Sequence, residues 1–181
     1  YNAYERSVMG WLNVEELTEA TFAQLYPFGD EDLGATAYCI KNPSNASEYY
    51  LLENRQADTW FPSFMGTGML VWHVAYNANR WNANTVNNTV GIPLFNLVPA
   101  NNTIYETPLK FAEWQRVAAN LYPGTTGNTS LTDDTTPSLR DSEGLPSGVP
   151  ITEIKEKNGL IELTIAGGKP TLPAVENARA E

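Results

Sequence analysis

The sequence predicts a mainly β fold with minor α structure, built as antiparallel sheets or a sandwich with an N-terminal helix and one further helix. Charged residues make up only 18% of the 181 residues, while aromatic residues make up 11%, a composition that favours strands and ordered polar loops. Two segments, 48–55 and 69–76, carry large side chains on both faces of a strand pattern. A chain of this length buries roughly 70% of its unfolded surface, enough for one core.

The first twelve residues are expected to form a helix that ends at Gly10 and continues a longer protein upstream. Residues 21–25 and 36–40 follow as short strands, and we expect them to be neighbours because turn residues close each of them.

Segment 48–55 is predicted to be a central strand, and the apolar segment 69–76 a second buried strand. Residues 77–88 are rich in Asn and predict an irregular but ordered loop. A strand is expected over 92–98. Pro108 at a first helical position predicts the second helix, over 107–121.

The rest of the chain divides into a long polar connection over 124–149, a hairpin and a tail. Asn158-Gly159 between the apolar runs 149–155 and 160–166 is a strong hairpin signal. The resulting organisation is three parts. They are a helix over 1–12, a β-rich module over 13–168, and a linker or tail over 169–181.

The charge of the chain bears on its partners. The formal net charge is -10, and no Lys or Arg cluster is present, which excludes the usual phosphate-binding surface of nucleic-acid-binding proteins. No apolar run reaches the length of a membrane span.

Cysteine and histidine usage limits the chemistry. Cys39 is the one cysteine, so the 181 residues form no internal disulfide and no four-cysteine zinc site. His73 is the one histidine, whereas holding zinc from a helix takes two imidazoles one turn apart. The sequence therefore predicts no metal ligands and no catalytic residues within these 181 residues.

Six segments, taken in order, resemble the downstream part of secreted bacterial zinc peptidases of the immune inhibitor A family, the sixth family of metallopeptidases. The matching segments are Ala3-Tyr4-Glu5-Arg6 with Gly10-Trp11-Leu12, Tyr49-Tyr50-Leu51-Leu52-Glu53-Asn54-Arg55-Gln56, Gly68-Met69-Leu70-Val71-Trp72-His73-Val74, Trp81-Asn82 with Val86-Asn87, Thr132-Asp133-Asp134-Thr135-Thr136-Pro137-Ser138, and Pro150-Ile151-Thr152-Glu153-Ile154 with Asn158-Gly159-Leu160-Ile161.

The resemblance implies that the zinc ligands lie upstream, since the H-E-x-x-H helix, a third ligand and a Met-turn all precede this region in the family. The chain would then be the non-catalytic C-terminal portion of a zinc endopeptidase that is secreted or at the cell surface of a bacterium. Zinc belongs to the parent protein, and the fragment alone is expected to be inactive. Its partners would be the upstream catalytic domain of the same chain and a protein substrate. The apolar side chains expected to anchor that domain are Tyr4, Val8, Met9 and Trp11.

The chain departs from the family pattern at two places. Thr59-Trp60-Phe61 stands where a Gly-Trp-Asp step is expected, and Ala75 stands where an Asp commonly follows Trp-His-Val. These departures leave a calcium site at those positions without support. Two acidic groups, 30–32 and 133–141, are expected to be solvated turn carboxylates rather than calcium ligands because their spacing matches no calcium loop.

Four residues are candidates for a role in the substrate cleft or in the structure. Glu53 and Arg55 share one strand face and favour a structural ion pair, while Trp72 and His73 lie on the next buried strand. A thiolate–imidazole pair of Cys39 with His73 is the catalytic alternative, against a packed strand histidine.

A different class of function remains open. Aromatic side chains in Asn-rich loops, notably Trp60, Trp81 and Trp114, are compatible with sugar stacking in a carbohydrate- or protein-binding β module of a secreted protein. The alternative for these rings is core packing.

Overall fold

The structure, a computed structural model, describes residues 1–43, 45–58, 61–89, 93–103 and 117–169. Its strands form two packed sheets, so the predicted mainly β fold with minor helix is confirmed. The elements are α1 (Ala3–Val8), β1 (Glu15–Glu16), β2 (Thr21–Leu25), β3 (Ala37–Asn42), β4 (Asn45–Arg55), a 3₁₀ turn (Ser63–Met65), β5 (Gly68–Ala75), α2 (Ala78–Asn82), β6 (Phe95–Leu97), β7 (Ile151–Lys157) and β8 (Leu160–Ile165).

The larger sheet has five strands in the order β1-β3-β4-β5-β6. Strand β4 is its centre, as the sequence predicts, and pairs antiparallel with β3 and β5 on its two sides. Because successive side chains alternate between faces, Tyr50, Leu52 and Asn54 point to one side of β4, and Leu51 and Glu53 point to the other.

The smaller sheet has the order β2-β8-β7. The predicted hairpin is present as β7 and β8, with Asn158 and Gly159 at positive φ in its turn. Strand β2 pairs antiparallel with β8, so the expectation that it neighbours the strand at 36–40 is wrong. The two strands instead lie in different sheets. One hydrogen bond joins them, from the Tyr38 hydroxyl of β3 to the Gln24 carbonyl of β2.

The main core lies between the two sheets. Its fully buried members include side chains from both sheets and from the connection before β7. They are Leu25, Ile40, Leu52, Met69, Val71, Tyr122, Leu131, Leu139, Ile151, Ile154, Ile161, Leu163 and Ile165.

The outer face of the larger sheet carries a second, smaller apolar cluster. Ala3 of α1 and Leu12 pack there against Ala37, Leu51 and Val74. Helix α1 is fixed at its start by a capping box, in which Asn2 and Glu5 bond each other's backbone. It ends, as the sequence predicts, before Gly10, whose φ of +73° suits glycine.

Four local predictions need correction, are narrowed or fall outside the described residues. Segment 77–88 contains helix α2, because Asn77 accepts the Arg80 backbone N–H and so caps a helix where an irregular loop was expected. The connection 124–149 is not purely a surface segment, since Leu131 and Leu139 lie in the core. The strand expected at 92–98 is described as Phe95–Leu97. Most of the expected helix over 107–121 lies outside the described residues, and 117–120 form a 3₁₀ turn.

Candidate functional site

The outer face of the larger sheet holds a buried group of charges, which we call the arginine cluster: Arg6, Glu53 and Arg55 with Trp72 and Phe28. Glu53 lies on the central strand and has no exposed surface. One of its carboxylate oxygens accepts the Trp72 indole N–H at 2.7 Å, and the other accepts the Arg55 guanidinium at 3.0 Å. The predicted ion pair of Glu53 and Arg55 therefore exists in the structure.

Arg6 brings a second cation to the same carboxylate. Its Nη2 lies 3.6 Å from Glu53 Oε2, and its Nη1 lies 3.2 Å from a carboxylate oxygen of Glu31. Both guanidinium groups lie over the Phe28 ring, at 4.0 Å for Arg6 and 4.7 Å for Arg55. Burial lowers the pKa of Arg6 from its ordinary value, and Glu53 opposes that shift.

The arginine cluster connects the N-terminal segment to the larger sheet. Arg6 comes from α1, Arg55 also donates to the Tyr1 carbonyl at 2.7 Å, and Glu53 comes from the centre of the sheet. A buried carboxylate that accepts hydrogen bonds from two side chains and faces a third, cationic one has no free surface for a substrate. The group therefore ties the N-terminal helix to the sheet.

Asn54 follows Glu53 in sequence, and its side chain lies on the opposite face of β4. Its side-chain amide donates to the Leu25 carbonyl at 2.8 Å and to the Gly159 carbonyl at 2.7 Å. It therefore connects the larger sheet to the end of β2 and to the hairpin turn. Sequence reasoning missed this role, as it missed Arg6, because these partners are distant along the chain.

His73 lies on the inner face of β5, away from the arginine cluster. Its Nε2 is 3.0 Å from a Glu48 carboxylate oxygen, and its Nδ1 is 3.2 Å from the Asn96 side-chain oxygen. Glu48 also accepts the backbone N–H and the hydroxyl of Ser142. The ring borders a cleft of about 230 Å³ between β6 and the loop that carries Arg140.

The catalytic alternative for His73 does not fit this geometry. Cys39 and His73 lie on opposite faces of the larger sheet, since Cys39 pairs with Leu51 while His73 pairs with Tyr50. Burial raises the pKa of the Cys39 thiol to about 11, and nearby Glu16 adds to that shift. The thiol is therefore protonated at neutral pH and has no imidazole to activate it.

The other predicted features are placed as follows. Trp81 packs against Tyr4 and Tyr76 with ring centroids at 6.1 and 5.1 Å, while Trp60 and Trp114 lie outside the described residues. Within the described ranges, no group of three or more His, Cys, Asp or Glu side chains could hold a metal ion.

Four exposed apolar side chains lie before the start of α1 or at and just beyond its end, and we call them the N-terminal patch. Tyr1 is 76% exposed, Val8 70%, Met9 39% and Trp11 62%. The Tyr1 and Trp11 rings meet edge to face at 5.5 Å. Tyr4 does not belong to the patch, because its half-buried ring packs against Trp81 and Phe95. The sequence expectation for this helix named Tyr4 together with three members of the patch.

No family model, no curated protein and no solved structure matches the chain. No helix among the described residues is long and apolar enough to cross a membrane.

Proposed function

We propose that the chain is the non-catalytic C-terminal portion of a secreted bacterial zinc endopeptidase of the immune inhibitor A type. In the parent protein it supports the scaffold of the active site and one side of the substrate cleft. The zinc ligands belong to the part upstream, and the isolated chain is inactive. Protein substrate and the upstream domain are its partners.

The observation that carries the proposal is the meeting of separate family-like segments at one place. Arg6 belongs to the first segment, Glu53 and Arg55 to the second, and Trp72 to the third, and all four share the arginine cluster. The three segments therefore share one structural role, and that shared role supports the proposal.

The same strand connects a further family-like segment to this group. Asn54 of the second segment donates to the carbonyl of Gly159, which belongs to the last segment. The residues that carry the resemblance therefore stabilise the fold from both faces of β4. Their structural role supports the proposed non-catalytic function.

The N-terminal patch supports the second part of the proposal. Three of its side chains, Val8, Met9 and Trp11, lie at the end of a helix that the arginine cluster fixes in place. Several large exposed apolar side chains within four residues of one another are a candidate interaction surface. A preceding domain that packs on this patch would be held rigidly against the sheet.

The test uses the gene product that includes whatever precedes Tyr1. Val8→Ser with Trp11→Ala should lower its melting temperature and its rate of protein cleavage, because both side chains leave an interface. The same change in the 181-residue chain should have little effect on melting, since both side chains are exposed there.

Leu145→Ser is the matched control, because Leu145 is another exposed apolar side chain and lies outside the patch. Equal behaviour of the patch variant and the control in the longer protein would contradict the proposed docking surface.

A further inference from the structure

Strand β2 is the outermost strand of the smaller sheet, and one of its edges is open. Its five residues pair with β8 from Thr21 opposite Ile165 to Leu25 opposite Ile161. Among the described ranges of the chain, no strand pairs with the other edge. Open edges present unpaired N–H and C=O groups that can accept another strand.

The direction of these groups follows from the bonds around β2. Ala166 donates its N–H to Pro150, towards β7, so its neighbour Ile165 turns its own backbone groups towards β2. The backbone groups of Thr21, Ala23 and Leu25, which lie opposite Ile165, Leu163 and Ile161, therefore bond to β8. Phe22 and Gln24, which lie between them, point their backbone groups outward.

Two further bonds agree with this assignment. The Gln24 carbonyl accepts the Tyr38 hydroxyl at 3.0 Å, from the side away from β8. Tyr26, two residues further, donates its N–H outward to the Ala35 carbonyl. The outward groups left for a new strand are the N–H and C=O of Phe22 and the N–H of Gln24.

Space is available in front of this edge. A cleft of about 320 Å³ is bordered on one side by β2 and on the other by Glu15, Leu17, Tyr26, Gly34, Ala35 and Tyr38. Strand β2 contains neither Pro nor Lys, the residues that commonly block edge pairing. Glu15 is the charged residue of the cleft wall, which favours a positively charged occupant.

We propose that the open edge of β2 binds an extended peptide segment with a basic side chain as an added strand. Phe22 and Gln24 supply three main-chain hydrogen bonds, and the Glu15 carboxylate pairs with the basic side chain. Binding of this type takes affinity from the backbone and selectivity from side-chain pockets. The proposal stands apart from the proposed function, because strand addition needs neither zinc nor an upstream domain.

The test measures anisotropy of a fluorescein-labelled hexapeptide, acetyl-Lys-Val-Lys-Val-Lys-Val-amide, with the 181-residue chain. The peptide should bind, and Phe22→Pro should weaken binding about tenfold or more, because proline removes an outward donor and crowds the edge. Phe22→Val is the matched control, which keeps the N–H. The Phe22→Pro chain should still fold, since the lost N–H does not bond to β8.

Two more comparisons keep the result decisive even if Phe22→Pro does not fold. Hydrogen exchange of the Phe22 and Gln24 amides in the unchanged protein should slow when the peptide is added. Glu15→Gln, or replacement of the peptide's lysines by glutamate, should weaken binding. No binding, unchanged exchange at both amides, or equal affinity for the acidic peptide would overturn the proposal.

Discussion

Replacing Glu53 by Gln tests how the arginine cluster stabilises the fold. The substitution keeps the size of the side chain and an oxygen for the Trp72 indole, but it removes the charge that faces Arg55 at 3.0 Å and Arg6 at 3.6 Å. The new amide also presents either an N–H₂ group or a neutral oxygen to two guanidinium groups. Guanidinium groups donate hydrogen bonds and accept none, so the amide pairs with them poorly.

The magnitude follows from burial. Removing one partner of a buried ion pair costs about 3–5 kcal/mol, because the remaining charge stays buried without compensation. Arg6 keeps Glu31, and Arg55 keeps the Tyr1 carbonyl, so the lower end of this range applies. We expect Glu53→Gln to lower the free energy of unfolding by about 3 kcal/mol, or roughly a hundredfold in the ratio of folded to unfolded protein.

Urea unfolding followed by tryptophan fluorescence and by circular dichroism measures this difference. Glu16→Gln is the matched control, because Glu16 pairs with Lys41 on the surface and exposed pairs contribute little. If Glu53→Gln unfolds at the same urea concentration as the control, the cluster does not tie α1 to the sheet as described.

Three further predictions concern other parts of the fold. Asn54→Ala should lower the free energy of unfolding by about 2–4 kcal/mol in urea titrations, because it leaves the Leu25 and Gly159 carbonyls without their donor. A change near zero would show that water replaces the side-chain amide. Burial alone would raise the pKa of Asp133, but hydrogen bonds from Gly148 and Ser147 outweigh it and lower the pKa below its ordinary 3.8. The stability that this carboxylate contributes is therefore present above about pH 4 and is lost as the pH falls through the folded-state pKa. The difference in unfolding free energy between wild type and Asp133→Asn should therefore shrink on acidification. A constant difference from pH 6 to pH 2.5 would refute this prediction. Burial raises the pKa of Cys39 to about 11, so the rate of its alkylation by iodoacetamide at pH 8 should be roughly a hundredfold lower than that of free cysteine. The rate should rise steeply with pH up to about pH 11. Rapid alkylation at pH 8 in the folded protein would contradict this prediction.

Local patterns predicted the strands well because they depend on neighbours in sequence. Strand β2 has the bounds that its apolar run and closing turn indicate, and the hairpin of β7 and β8 follows from Asn158-Gly159. The partner of β2 could not be predicted, since β8 lies near the other end of the chain. Pairing over such distances depends on the whole core rather than on either segment.

Polar composition concealed two features of the fold. The Asn-rich composition of the stretch after β5 predicts a loop, whereas Asn77 is a favourable N-cap and begins helix α2. Leu131 and Leu139 are isolated apolar residues in a segment of Thr, Ser and Pro, so no periodicity indicates that both are buried.

The candidate site was predictable only where its members are close in sequence. Glu53 and Arg55 share a face because they are two apart on a strand, and the expected ion pair follows from that spacing. Arg6 and Trp72 join the same carboxylate from other elements, which no local pattern indicates. Likewise, only the fold shows that Cys39 and His73 are separated by the sheet.

The most direct test of the proposed function is to measure bound zinc and protein cleavage for the complete gene product beside the 181-residue chain. The proposed function predicts bound zinc and hydrolysis of a protein substrate for the complete product, both abolished by a chelator, and neither for the 181-residue chain. A complete product that binds no zinc and cleaves no protein, or a 181-residue chain that does both, would contradict it.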